Sequence, residues 1–229
     1  MEGQMNKIII CIFILFSLTG LIAQSVDKVS YFKSKKIEAE QGDASSQLFT
    51  GFCYEYGEGV DQDYKEAVKW YRLAAEQGDS TAQYRLGDCY YSGQGIIQDY
   101  EKALKWYTLV AEQGDAFAQW TLGFCYEHGA GVNRNYQEAF KWYRLTAEHG
   151  DVSAQFKLGD CYSKGRGVIQ DYQEAFKWYL LASSKASGHL FDEISKDRDI
   201  VRKELTQAQI NQATREAKEI QKMIDDGRE

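Results

Sequence analysis

The run from Gly78 to Gln113, GDSTAQYRLGDCYYSGQGIIQDYEKALKWYTLVAEQ, decides the fold because the chain writes it four times. Copies begin at Gly42, Gly78, Gly114 and Gly150, 36 residues apart and without insertion. A fixed period of that length marks helical hairpins, each too small to bury its own apolar face and so stacked on the next. Every copy opens with Gly-Asp. The Gly suits the left-handed residue that ends a helix, and the Asp suits the N-cap of the following one. In the second copy the first helix reads STAQYRLGDCYYS, with Ala82, Leu86, Gly87 and Tyr90 at helical spacing toward the neighbouring helices. A mid-helix Gly costs ~1 kcal/mol against Ala. Its return at Gly51, Gly87, Gly123 and Gly159 therefore predicts close helix–helix approach.

A GxG turn ends that helix, at Gly57/Gly59, Gly93/Gly95, Gly129/Gly131 and Gly165/Gly167. A second helix starts at Asp63, Asp99, Asn135 and Asp171. Three copies carry the capping-box spacing, Asp63…Glu66, Asn135…Glu138 and Asp171…Glu174. This helix holds Lys69, Trp70, Tyr71 and Leu73. The Trp recurs as Trp106, Trp142 and Trp178, and the Leu as Leu109, Leu145 and Leu181. So strict a period reads as core packing rather than as an aromatic ligand site. The expected fold class is all-α, a solenoid of helix-turn-helix repeats with a 36-residue period.

The run LGDCYYSGQGIIQDYEKALKWY resembles the Sel1-like repeat (SLR) family, relatives of the tetratricopeptide repeat, and the resemblance covers roughly residues 31–185. It implies a right-handed α-solenoid with a concave groove. It also implies adaptor work, holding protein complexes together in envelope biology or signalling. The family often has Pro after the GxGV turn. Here Asp61, Ile97, Asn133 and Ile169 stand there, and the chain has no Pro at all.

The flanks read differently. Residues 1–24 have the shape of a signal peptide: Lys7, an apolar run from Ile8 to Leu18, and a small or polar exit through Ala23 and Gln24. The alternative is an uncleaved anchor at residues 8–23, a 16-residue stretch against the ~20 that span a bilayer. Met5 offers a second start, and Cys11 has no lipobox before it. Residues 25–41 form an N-terminal half-repeat cap, since KKIEAEQG (Lys35–Gly42) overlays YRLAAEQG (Tyr71–Gly78). The repeats follow at 42–77, 78–113, 114–149 and 150–185. Residues 186–229 read as polar capping helices. Gly188 to Glu204 offers Leu190, Ile194, Val201 and Leu205 for packing. Thr206 and Gln209 then open a last helix to about Ile224, with Ile210, Ala213, Ala217 and Ile220 at helical spacing. The rival reading of that helix is an amphipathic docking element for a partner.

Charge and motif exclude several function classes. A formal net charge of -7 without a basic stripe argues against nucleic acid. Cys53, Cys89, Cys125 and Cys161 hold one equivalent position in successive repeats. Stacked helices lie ~8–10 Å apart, and a disulfide needs Cα atoms within ~7 Å. These cysteines are expected to be free, small packing residues. A disulfide-rich branch of the resembling family uses two cysteines per repeat, and this chain has one. His128, His149 and His189 have no ligand spacing. The GxG turns follow a helix and never extend to GxGxxG, and Asp61 and Asp63 lack the Gly and terminal Glu of a calcium loop. No catalytic set, cofactor or metal is expected.

By analogy with tetratricopeptide repeats, the first helix of each pair lines the concave face. The candidate partner-binding residues are Phe52, Glu55, Tyr84, Asp88, Tyr91, Phe117, Trp120, Phe124, Glu127, Phe156 and Asp160. Phe117, Trp120 and Phe124 share one helix face, and exposed aromatics at such spacing are typical anchors of a binding site. Glu55, Asp88, Glu127 and Asp160 would make the rim acidic, suiting a peptide or helix with apolar anchors and some basic residues. A competing reading has Leu48, Tyr84, Trp120 and Phe156 packing between helices. Phe52 and Phe124 alternate with Asp88 and Asp160, which reads as a solvated position. The expectation is an exported protein–protein interaction scaffold, periplasmic or secreted, that binds a protein or peptide. Membrane contact would come only through an uncleaved N-terminal segment. The alternatives are a binder of glycan or cell-wall fragments, and a hydrolase of envelope material using Asp88 and Glu127.

Overall fold

In a computed structural model the described residues are 27–227, and the leader and anchor readings of residues 1–24, with Met5 and Cys11, lie outside them. Among the described residues there are eleven helices and no strand. They are α1 (27–40), α2 (Ala44–Tyr56), α3 (Tyr64–Glu76), α4 (Ser80–Ser92), α5 (Tyr100–Ala111), α6 (Ala116–His128), α7 (Tyr136–Glu148), α8 (Val152–Lys164), α9 (Tyr172–Lys185), α10 (Gly188–Arg202) and α11 (Gln207–Asp225). The fold is an all-α solenoid of helix-turn-helix repeats. The chain divides into two compact units, Met1–Asp99 and Tyr100–Glu229.

Local chemistry sets each helix end. Gly42, Gly78, Gly114 and Gly150 take φ of 98, 92, 93 and 89°. Asp43, Asp79, Asp115 and Asp151 then each accept a backbone N–H three residues on, at 2.7–2.8 Å. The second helices are capped differently from the sequence expectation. Asp63, Asn135 and Asp171 do accept two backbone N–H groups each. Their reciprocal half is missing, because their own N–H groups donate to the carbonyls of Tyr54, Tyr126 and Tyr162. Glu66, Glu138 and Glu174 pair instead with Lys69, Lys141 and Lys177. The capping box at Thr206 and Gln209 is closed on both sides.

The two glycines of each turn have separate duties. The first ends the helix in the left-handed region, as at Gly165 with φ 64°. The second packs one repeat on the one before. A Cβ at Gly95 would overlap the Tyr64 carbonyl, and one at Gly131 or Gly167 would overlap the carbonyl of Tyr100 or Tyr136. Each turn thus rests directly on backbone at the start of the preceding second helix.

Tyr71, Tyr107, Tyr143 and Tyr179 are the largest fully buried side chains. Gly51, Gly123 and Gly159 lie against three of these rings, where a Cβ would fall 2.5–2.6 Å from ring carbons. That is the close approach which the mid-helix glycines announce. A second repeated clamp is written by a Gln at one fixed place in every copy, a signal the sequence analysis did not use. Gln47, Gln83, Gln119 and Gln155 are buried, and each side-chain amide donates to the carbonyl of Ala39, Ala75, Ala111 or Ala147 at 3.1–3.3 Å. These carbonyls, in the last turn of the preceding helix, also accept the N–H of Gly42, Gly78, Gly114 or Gly150, so the amide is a second donor to each.

One expectation fails. Leu73, Leu109 and Leu145 are not core residues: they are 44%, 41% and 38% exposed, and only Leu181 is buried, at 1%. The tyrosine beside each Trp fills the interior, so the Trp–Leu edge of the helix points outward. The cysteines follow the sequence reading. Cys53, Cys89, Cys125 and Cys161 are buried and free. Burial pushes their thiols up to about 11 or 12, which leaves almost no thiolate near neutral pH.

Candidate functional site

Clusters of aromatic and charged side chains lie on the first-helix face, one in the first unit and two in the second. In the first unit, Phe52 and Glu55 sit one turn apart on α2. The Glu55 carboxylate accepts the Tyr71 hydroxyl and lies 3.9 Å from the Arg85 guanidinium of α4. That guanidinium also stands 5.1 Å over the Phe52 ring and donates to the Tyr56 hydroxyl at 3.4 Å. Phe52 is therefore held between Tyr71, whose ring centroid is 5.6 Å away, and Arg85. Tyr84, Asp88 and Tyr91 are half-buried along α4.

The second unit repeats the arrangement 72 residues later. Glu127 of α6 accepts the Tyr143 hydroxyl at 2.8 Å and the Lys157 ammonium at 2.9 Å, with Arg166 at 3.8 Å. Burial pushes its carboxyl up, but the hydrogen bonds from Lys157 and Tyr143 outweigh this and hold it below the usual carboxylate range. Asp160 of α8 accepts the Tyr179 hydroxyl at 2.8 Å and pairs with Lys164 at 2.7 Å. Ser163 stands where the other clusters have Glu55 and Glu127, so Asp160 takes over the tyrosine. The rim acids are thus engaged: Glu55, Glu127 and Asp160 each hold a buried hydroxyl and at least one cation. Three of the four acids expected at the rim are neutralised locally, Glu55 and Glu127 by cations of the next first helix or its turn and Asp160 by Lys164 of its own helix.

The aromatic residues separate into two groups. Trp120 packs toward the clusters around Tyr143 and Leu158, and its buried indole N–H makes no hydrogen bond among the described residues. Phe156 likewise tilts against Tyr179, with centroids 5.8 Å apart. These two positions follow the competing reading, in which they fill the space between helices. Phe124 stacks on Trp120 at 5.7 Å and on His128 at 4.1 Å, which leaves part of its ring at the surface. Phe117 is the most exposed aromatic of the described residues, at 77%. Phe117, Phe124 and His128 form one stripe, spaced i, i+7 and i+11 along α6.

The alternation of Phe52 and Phe124 with Asp88 and Asp160 read from the sequence extends to the charged residues around them. Copies one and three share GFCYE at Gly51–Glu55 and Gly123–Glu127. Copies two and four share GDCY at Gly87–Tyr90 and Gly159–Tyr162. The signal is in the sequence, where Phe52 and Phe124 alternate with Asp88 and Asp160. Glu55–Arg85 and Glu127–Lys157 share one spacing of 30 residues, so a cluster recurs every 72 residues. Among the described residues no group of His, Cys, Asp and Glu could hold a metal ion. No described helix is long and apolar enough to cross a membrane.

Comparison with known proteins agrees with this geometry. The chain is similar to c5321, a protective antigen present in uropathogenic Escherichia coli strains that displays an SLR fold. The two are 34% identical with a TM-score of 0.70, over 82% of this chain and 40% of that one. The chain thus spans well under half the length of the E. coli protein. It is also similar to a Sel1 repeat protein from Oxalobacter formigenes, 34% identical with a TM-score of 0.64, over 73% of this chain and 72% of that one. No curated protein matches the chain. The Sel1 repeat pattern matches residues 44–79, 80–115, 116–151 and 152–187, each two residues later than the frame set by the Gly-Asp pairs. With well over half of its length in four matched copies, the chain belongs to the Sel1 repeat family.

Proposed function

We propose that this chain is a protein-interaction scaffold that holds a peptide or protein partner on its first-helix face, chiefly through Phe117, Phe124 and His128. Sel1 repeats commonly serve protein interaction and are typically non-catalytic. The exposure of Phe117, in line with the half-covered Phe124 ring, is the observation that carries the reading. An aromatic ring left in water near the start of a first helix is a favourable anchor, since burying it in a partner releases the water over it. The neighbouring charges are already balanced by Lys157, Arg166 and Lys164. Recognition therefore rests on apolar anchors rather than on basic residues of the partner. A hydrolase reading gains no support from Glu127. A general acid needs a raised pKa, and this carboxyl is held low.

The test uses two baits of the full chain, native and Phe117→Ser/Phe124→Ala, against an envelope extract of the producing cell. Phe117 is exposed, so its change should cost little stability, within ~0.5 kcal/mol. A partner retained by the native bait and reduced tenfold or more on the variant supports the reading. Equal retention by both removes the site from α6. Export is part of the same proposal, supported by Lys7, the Ile8–Leu18 run and the Ala23 exit. N-terminal sequencing of the purified protein checks it. A mature terminus near Ser25 agrees with export and cleavage, and an intact Met1 or Met5 contradicts it.

A further inference from the structure

The last helix, α11, lies along the outward edge of α9. Leu181 and Trp178 cluster there with Ala217, and Ile220 packs alongside. Further on, the Ser184 hydroxyl donates to Gln221 at 3.2 Å and Lys185 pairs with Asp225 at 3.0 Å. The far end of α11 reaches the turn between α7 and α8. A Cβ at Gly150 would fall 2.8 Å from the Ile224 side chain, so the glycine lets the end of the helix seat on that turn. α11 does not fill all the space it covers. A cavity of about 690 Å³ remains beneath its last two turns. That volume falls within the ~300–1,000 Å³ of small-molecule sites.

The cavity has an apolar wall and an electronegative end. Trp178, Ile220, Met223 and Ile224 form the wall. The polar lining gathers where two helices stop. Glu148 is the last residue of α7, His149 is its C-cap, and Gly227 lies just past the end of α11. The unpaired carbonyls of a helix C-terminus amount to about half a negative charge. The Glu148 carboxylate adds a full one, and its ion pair with Arg144, at 3.5 Å, is exposed to solvent. No lysine or arginine lines the cavity among the described residues.

A buried acceptor beside His149 has also lost its donor. In the first repeat the Gln77 amide donates to the Gln47 Oε1 at 2.7 Å. His149 and Gln119 hold these two positions two repeats on. The His149 Nδ1 instead lies 2.8 Å from the Leu145 carbonyl, and the Gln119 Oε1 has no hydrogen bond among the described residues.

We propose that this cavity is a binding site for a small amphiphile with an ammonium head. The tail lies against Trp178, Ile220, Met223 and Ile224. The head sits among the Glu148 carboxylate and the carbonyl ends of α7 and α11, with the Gln119 oxygen behind His149 as a further acceptor. Apolar contact supplies the affinity, and the acceptors select a cation over a carboxylate.

Met223 provides a local reporter, because the other two methionines, Met1 and Met5, precede the repeats. The full chain, labelled with 13C-methyl methionine, is titrated by NMR with decylammonium or decanoate below their micellar concentrations. Met223→Leu assigns the signal. Decylammonium should shift the Met223 methyl saturably, and decanoate should bind at least tenfold more weakly. Glu148 is exposed, so Glu148→Lys should keep the native circular dichroism. That change should weaken decylammonium at least tenfold and strengthen decanoate. A Met223 methyl that neither probe moves overturns the proposal. So does equal binding of the two probes, or a preference that Glu148→Lys leaves unchanged, since the cavity would then take apolar chains without reading the head. A shift that comes only with loss of the helical circular dichroism is denaturation by the probe, and also overturns it.

Discussion

Gly167→Ala is expected to lower the melting midpoint by roughly 6–12 °C, and Gly165→Ala, two residues away, by less, ~2–8 °C. Both glycines have positive φ, 76° and 64°. An Ala at either one incurs the left-handed penalty, ~1–2 kcal/mol. Their surroundings differ. The nearest neighbour of a Cβ at Gly165 is the Gln170 side chain at 3.5 Å, an ordinary contact. A Cβ at Gly167 would overlap the Tyr136 carbonyl, which is backbone and cannot swing aside. Adding that overlap brings the total to ~3 kcal/mol or more, within the range of overpacked sites. The pair isolates the contact between successive repeats from the conformational preference of glycine. Equal midpoints for the two variants would mean that the turn does not rest on the preceding repeat.

Tyr143→Ala should cost ~4 kcal/mol, as for other large aromatic residues removed from a core. Tyr143→Phe should cost ~1.5–3 kcal/mol, the loss of one hydrogen bond to a charged acceptor. The smaller figure reflects what remains to Glu127, which keeps Lys157 at 2.9 Å and Arg166 at 3.8 Å. Gly123 supplies a sharper check. Alone, Gly123→Ala places a methyl 2.6 Å from the Tyr143 ring and should destabilise by ~1–3 kcal/mol. On the Tyr143→Ala background the ring is gone, and the same change should stabilise by ~1 kcal/mol through helix propensity. Urea unfolding of the four proteins measures the coupling. A Gly123→Ala effect with one sign in both backgrounds would contradict the packing described for this pair.

Most of the helices were legible because their ends are written in chemistry that acts over three or four residues. Gly42, Asp43 and their copies fix where a helix stops and the next begins, and no tertiary information is needed to read them. The mid-helix glycines were legible for a related reason, since a costly residue that returns at a fixed place must serve packing. Much of what stayed hidden involves partners on other helices, 8 to about 40 residues apart. Glu127 looked like a free rim acid because Lys157 and Arg166 belong to the next first helix and its turn. Leu73, Leu109 and Leu145 looked like core because periodicity shows that residues share a face, not whether anything covers that face. Leu181, in the same register, is buried only because α11 lies against it. At Trp120 the indole turned inward and Phe117 outward, although both fit the same stripe. Side-chain direction there depends on the space beside Tyr143 and Leu158, which no single repeat specifies.

The central claim is that the exposed stripe of α6 holds a protein partner. Its most direct test places the photo-crosslinking residue p-benzoylphenylalanine at Phe117 in the producing cell, with a control probe at the exposed Glu204 of the C-terminal segment. Irradiation should give a discrete adduct, heavier than the chain by the mass of one protein, from the Phe117 probe and not from the Glu204 probe. No adduct from Phe117, or the same adducts from both positions, would contradict the claim.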